Sequence, residues 1–273
     1  KKWQEIFPIY QATTRPDKAA AALVEGRVVV VFDNSPEVII APATINTLFQ
    51  TADDYYRNER IVTFLRLIRY VAAFLALALP GLYVAAATFH PQLLPGNLIR
   101  SMAEARSGVP FPTAAEVLLM ELSFELLREA GLRMPGPAGN TIGIVGGLIV
   151  GQAAVSANLV SPITVTVAAL TALGSFSIPN EELSEVFRLW KYGILLLGSC
   201  FGILGVMLGC FLLLMLMAEQ ESYGIPWLYP YVGGNLNERA DEKDSMFLAA
   251  ARKRKRRPIF AKWGNRIRFR RKS

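Results

Sequence analysis

The sequence has one histidine, His90, and two cysteines, Cys200 and Cys210, among its 273 residues. So little imidazole and thiol leaves no ligand set for zinc and no Ser/His/Asp or Cys/His pair, so the reading is not an enzyme, with no metal and no cofactor. Both cysteines fall inside an apolar run, where a thiol behaves as a small hydrophobe and marks no redox compartment. Charge is missing in a patterned way. Residues 70–89, 141–179 and 192–218 contain no Asp, Glu, Lys or Arg, and each reaches the roughly 20 residues a helix needs to span hydrocarbon. The opening Lys1-Lys2-Trp3 lacks the apolar core of a cleavable leader, and none is expected. Acid is absent between residues 252 and 272, which hold twelve of the 29 Lys and Arg, leaving 17 basic against 22 acidic residues elsewhere. The net charge of +7 therefore belongs to a tail. Such a run is either a solvated, disordered tail or, next to a membrane helix, a mark of the cytoplasmic side that is drawn to anionic membrane lipid, and nucleic acid is not an expected partner.

What is present is apolar: 52% of the residues are hydrophobic. The fold class expected is mainly α, a polytopic α-helical membrane protein with about four membrane helices, one of them a broken or paired segment, and a small α/β N-terminal cytoplasmic remnant. Residues 1–60 form the soluble α/β segment, 61–231 the membrane domain with an interfacial amphipathic helix at 113–132, and 232–273 the basic cytoplasmic tail. In the first segment Arg15-Pro16-Asp17-Lys18 opens a helix that Gly26 stops. Val28–Phe32 and Val38–Ile40 then flank the turn chemistry of Asp33-Asn34-Ser35-Pro36. One helix and two strands are too few to bury a core alone, so this unit is read as the end of a larger domain or as packing on a neighbour.

In the membrane domain, Arg66 and Arg69 open the first span and can snorkel to the interface, while Pro80-Gly81 predicts a kink or break in mid-span. Residues 91–108 read as a polar link. In the helix at 113–132, Glu121, Glu125, Arg128 and Glu129 share one face and Leu118, Leu119, Leu122, Leu126 and Leu127 fill the other. Two readings stand: a solvated charged face, or an aqueous vestibule where Glu121 and Glu125 attract cations. The tract 141–179 breaks at Ser161-Pro162, a candidate hinge, giving helices at 142–158 and 163–178. Gly139, Gly143, Gly147 and Gly151 recur every fourth residue, a seam that lets helices approach closely. Gln152 with Ser156, and Thr164, Thr171 and Ser175, form polar stripes that either bond back to their own helices or line water in a pore. Residues 180–191 read as a charged connection, 193–217 as one clean span, and 225–231 as an aromatic segment suited to the headgroup layer. Four crossings would leave both termini in the cytoplasm, whereas three, with 141–179 as one tilted span, would separate them; the charge pattern favours four.

Several motifs, taken in order, carry a resemblance. They are Arg15-Pro16-Asp17-Lys18, Glu25-Gly26-Arg27-Val28, Asp53-Asp54-Tyr55-Tyr56, Pro110-Phe111-Pro112, Met120-Glu121, Phe124-Glu125-Leu126-Leu127-Arg128-Glu129-Ala130-Gly131, Ile144-Val145-Gly146-Gly147, Gly151-Gln152-Ala153-Ala154-Val155, Leu159-Val160-Ser161-Pro162 and Ser175-Phe176-Ser177-Ile178-Pro179. This set resembles the A subunit of the spore germinant receptors over most of 15–179. The resemblance implies a multi-pass protein of the spore inner membrane, working beside a transporter-like B subunit and a lipoprotein C subunit. It further implies a homo-oligomer, with a pentamer as the count it points to, that releases monovalent cations when a germinant is sensed. A branch of the same family tied to dipicolinic-acid release shares these motifs. Two other classes are weighed against a channel: an assembly subunit without a pore of its own, and a secondary transporter, for which no inverted repeat is visible.

Overall fold

The computed structural model describes residues 6–133, 137–232, 244–249 and 258–261, with only the backbone course given for 137–145 and 148. It is mainly helical, and it separates into two compact units, the first formed by Lys1–Val71, Ile178–Val186 and Leu213–Ser273, the second by Ala72–Ser177 and Phe187–Leu212.

The first unit holds the α/β elements. They are β1 (Gln11–Thr13), α1 (Pro16–Glu25), β2 (Val28–Val31), β3 (Val38–Ala41) and the short α2 (Ile45–Phe49). The sheet is antiparallel in the order β1-β3-β2, with Gln11 and Val29 both opposite Ile40. Helix α1 starts with Pro16 in its first turn, where a missing N–H costs nothing, and ends at Gly26 with φ +91°. That positive φ lets the Gly26 and Arg27 amides return to Leu23 and Ala22 carbonyls, each at 3.0 Å. Strand β1 was not expected from the sequence, and it adds the third strand that the sheet needs.

The core of this unit is completed from the far end of the chain. Trp227 is fully buried, its ring 4.9 Å from that of Phe7 and its Nε1 donating to the Pro8 carbonyl at 2.8 Å. The Ile45 amide donates to the Trp227 carbonyl at 2.9 Å. The aromatic segment expected at the headgroup layer thus has Trp227 and Tyr229 in a protein interior. An indole can be buried there because its single donor finds a carbonyl.

Helix α3 (Glu59–Thr88) runs for 30 residues and is the one helix among the described residues long and apolar enough to cross a membrane. It passes through Pro80 without interruption, so the break allowed for at Pro80-Gly81 does not occur. The second unit continues with α4 (Gly96–Arg106), α5 (Thr113–Leu132), α6 (Pro137–Ser156) and α7 (Pro162–Phe176), and takes in the 187–212 portions of α8 (Glu181–Phe201) and α9 (Ile203–Glu219). Helix α5 packs on α6 and α7, and Met120, Val160 and Ala168 form a buried cluster among them. The expected α5 boundaries and the division at Ser161-Pro162 match the observed elements.

Three expectations are corrected. The link at 91–108 contains α4. The connection at 180–191 is the start of α8, because Asn180 Oδ1 accepts the Leu183 amide at 2.8 Å and caps a first turn that carries Glu181 and Glu182. The single span at 193–217 is two helices, divided at Gly202, whose φ is +63°. A Cβ on Gly209 would lie 2.9 Å from Ile194 Cγ1, and one on Gly205 would collide with the Leu197 carbonyl. Residues before and after Gly202 therefore meet, so α8 and α9 fold back against each other as a hairpin. A Cβ on Gly198 would in turn lie 3.0 Å from the Gly81 carbonyl of α3. These glycines are spent on close backbone approach.

Candidate functional site

Helix α5 buries two carboxylates beside the apolar Val117 and Met120. Glu116 and Glu121 are buried, whereas Leu119, Leu122 and Leu126 are 43%, 48% and 71% exposed. Of the four charged residues expected on one face, Glu121 is buried, Glu125 and Arg128 are half-buried and Glu129 is exposed, so that face is solvated only toward its far end. A carboxylate removed from water needs cations or hydrogen bonds around it, and the second unit supplies both.

Glu116 accepts from Arg106 Nε at 3.1 Å through one oxygen. Through the other it accepts from the Ser161 amide at 3.0 Å and the Thr164 hydroxyl at 3.1 Å. Ser161 also caps α7, its Oγ accepting the Thr164 amide at 3.3 Å. The candidate hinge Ser161-Pro162 is thus a corner whose Ser161 polar groups are tied to α5 and α7. One and two turns further along α5, two ion pairs reach α8. Glu121 Oε2 lies 2.6 Å from Lys191 Nζ, and Glu125 pairs with Arg188. Because the partner number falls as the α5 number rises, the two pairs form rungs between antiparallel helices. Arg128, another turn on, lies 4.9 Å over the Phe176 ring with Nη1 3.4 Å from Ser175 Oγ. The second oxygen of Glu121, Oε1, has no hydrogen-bond donor among the described residues.

The remaining sequence candidates fall in different surroundings. Gln152 and Ser156 are exposed near the end of α6. Thr164, Thr171 and Ser175 are buried, with the Thr171 hydroxyl donating to Val167 O at 2.9 Å and the Ser175 hydroxyl to Ala172 O at 2.7 Å. The structure therefore does not bring the five stripe residues onto one open surface. A Cβ on Gly147 would lie 3.2 Å from the Phe124 ring of α5, and one on Gly151 3.1 Å from Val165 of α7. Gly139 and Gly143 lie in the part of α6 outside the described side chains, and of the tail at 232–273 only 232, 244–249 and 258–261 are described. Sequence reasoning missed Glu116, Arg106, Arg188 and Lys191. The spacing of Arg188 and Lys191, one helical turn apart and opposite in sign to Glu121 and Glu125, was the available signal.

A second buried charge cluster lies within the first unit. Asp54 accepts from Arg69 Nη1 and Nη2 at 2.8 and 2.9 Å, from Arg66 Nε at 3.2 Å and from the Thr51 hydroxyl at 2.8 Å. Arg66 Nη1 also donates to Asp244 Oδ1 at 3.0 Å and to the Ser245 carbonyl at 2.7 Å. Burial alone would raise the Asp54 carboxyl, but the hydrogen bonds from Arg69 and Thr51 outweigh it and hold it below the ordinary carboxylate range. Arg66 and Arg69, expected to snorkel outward, are held inward by this carboxylate. No three His, Cys, Asp or Glu side chains among the described residues converge as a metal site. Both clusters are arranged to hold chain segments in register and to expose charge when separated.

Residues 1–260 match the family description of the Bacillus/Clostridium GerA spore germination protein. The chain is 42% identical to the uncharacterized membrane protein YfkQ of Bacillus subtilis (strain 168) over 244 residues, 89% of this chain and 47% of that protein. It is 41% identical to spore germination protein GerLA of Bacillus cereus and to spore germination protein A1 of Bacillus subtilis (strain 168), in each case over 82% of this chain and 46% of the relative. The chain spans about half the length of these curated relatives. No solved structure matches it.

Proposed function

Because the chain belongs to the Bacillus/Clostridium GerA spore germination protein family, we propose that it acts as an A-type subunit of a nutrient germinant receptor. Copies of it assemble into an oligomer, with a pentamer as the working count, that releases monovalent cations across the spore inner membrane when germinant is sensed. Germinant receptor B and C subunits are its proposed partners. The apolar helices within residues 61–219 form the membrane domain, and the basic run at 252–272 is drawn to anionic lipid on its cytoplasmic side.

The observation that carries this reading is the pair of carboxylates that α5 buries while its leucines stay exposed. A helix that buries Glu116 and Glu121 while exposing Leu119, Leu122 and Leu126 is suited to acyl chains or a neighbouring subunit outside and to a polar interior. Leu204, Met207 and Phe211 of α9 are likewise exposed. Gln152 and Ser156, on an exposed part of α6, are the stripe residues best placed to face water in an assembled pore. Thr164, Thr171 and Ser175 would join them only if α7 turned. Glu121 and Glu125 would attract cations at a vestibule once their rungs to Lys191 and Arg188 open.

The test uses a Cys200→Ala/Cys210→Ala background with Ser156→Cys or Gln152→Cys, reconstituted with its partner subunits in potassium-loaded vesicles. Germinant-triggered potassium release that a charged thiol reagent blocks at either position supports a pore. Release that is absent, or that proceeds at the full rate after complete labelling, ends the proposal. A specific observation favours a second reading, a non-conducting assembly subunit. The Thr171 and Ser175 hydroxyls are already satisfied by their own helix, so that stripe has no need of water. In that case labelling would alter subunit assembly and leave release untouched.

A further inference from the structure

Within the first unit a cleft of about 610 Å³ opens between α1, strands β1 and β3, α2 and the turn at 51–56. Its volume falls in the range of small-molecule sites, roughly 300–1,000 Å³. Lys18, on the cleft side of α1, is half-buried and has no carboxylate or hydrogen-bond partner among the described residues. The acids near it are taken: Asp17 is held by Arg15 at 2.8 Å and Glu25 by Arg27 at 3.1 Å. Burial, with Arg27 and Arg15 close by, lowers the Lys18 ammonium below its ordinary value. Gln11, 1% exposed, also lines the cleft. Its Nε2 donates to the Thr47 carbonyl at 2.6 Å, which fixes the amide orientation, while its Oε1 has no donor among the described residues. Ala21, Ala22 and Ile40 supply apolar wall.

On two side chains that line one cleft, a cation without an ion-pair contact and a buried acceptor without a donor among the described residues define what would fit there. We propose that this cleft binds a hydroxylated organic anion, its carboxylate or phosphate against Lys18 and a hydroxyl donating to Gln11 Oε1. Each group then gains the partner it lacks, and the carbon skeleton lies against the alanine face. The site is separate from α5 and its ladder, so its failure would leave the proposed channel standing, and the converse holds.

The experiment is calorimetric titration of the detergent-solubilised chain with gluconate, glycerol 3-phosphate, inorganic phosphate and neutral sorbitol. Saturable binding of gluconate or glycerol 3-phosphate is expected, with no heat from sorbitol, and the better of the two tells carboxylate from phosphate. Lys18→Met should weaken that binding by roughly tenfold or more, as expected for loss of a charge-assisted hydrogen bond. Gln11→Met should weaken it several-fold. Because Lys18 has no partner to lose, its variant should unfold at the same temperature as the parent when no anion is present, which separates a binding defect from a folding one. The proposal is overturned if neither organic anion binds, if inorganic phosphate binds as tightly as both, or if Lys18→Met binds unchanged.

Discussion

Glu121 Oε2 and Lys191 Nζ lie 2.6 Å apart, with side chains only 2% and 6% exposed. Seventy positions separate them in the chain, and the contact ties α5 to α8 across the interior of the second unit. Its worth depends on what replaces it. A lone carboxylate in that setting is far more costly than the pair, whereas two apolar side chains of similar volume are tolerated.

Lys191→Met is therefore expected to destabilise the protein by about 3–5 kcal/mol, and Glu121→Leu/Lys191→Met to recover most of the loss. Thermal unfolding in detergent of the wild type, both single variants and the double variant measures the coupling. Equal melting of all four would mean that the rung contributes nothing.

Acid should loosen the first unit through Asp54. Its carboxyl is held below the ordinary range when folded, so the native state releases this proton at lower pH than the unfolded chain does. The stabilisation is fully present above the ordinary Asp value of about 3.9 and is lost as pH falls through the lower native value. Asp54→Asn should be less stable than wild type at neutral pH and should lose less stability between pH 5 and pH 3, on the order of one proton fewer in the slope. Asp17 and Asp53, held low by exposed Arg15, add the same background to both proteins.

The turn between α8 and α9 requires glycine. Gly202 has φ +63°, and a Cβ there would come within 2.9 Å of His90 Cε1 and 3.1 Å of Phe89 Cβ. Gly202→Ala should cost about 1–2 kcal/mol in backbone conformation, with steric cost added. Gly193→Ala serves as the control, since a Cβ there meets only the Trp190 ring at an ordinary 3.9 Å. A melting temperature for Gly202→Ala no lower than that of the control would refute the requirement.

Local chemistry made parts of this fold legible. Pro16 and Gly26 frame α1, the 3.6-residue periodicity gives α5 its limits, and Ser161-Pro162 separates α6 from α7. The same kind of signal was present at Asn180 and passed over, because two following glutamates read as a charged loop rather than as a capped first turn. Gly202 was hidden inside an apolar run, where one glycine among Gly198, Gly205 and Gly209 looks like packing surface and only a backbone angle tells it apart. The charged face of α5 was found, but its direction was not. Periodicity reports that two faces differ and is silent on which one meets the interior. That depends on Arg106, Arg188 and Lys191, which arrive from other helices.

Arg66 joins distant stretches of chain, since it grips Asp54, 12 positions before it, and Asp244, 178 positions after it. Asn46 and Gln50 hold the Asp244 carbonyl as well, at 2.9 and 2.6 Å, and Thr63 takes the Leu248 amide at 3.2 Å. Tension applied to the polypeptide past residue 249 consequently arrives at the opening turns of α3, through a guanidinium that cannot let go without being stranded away from water.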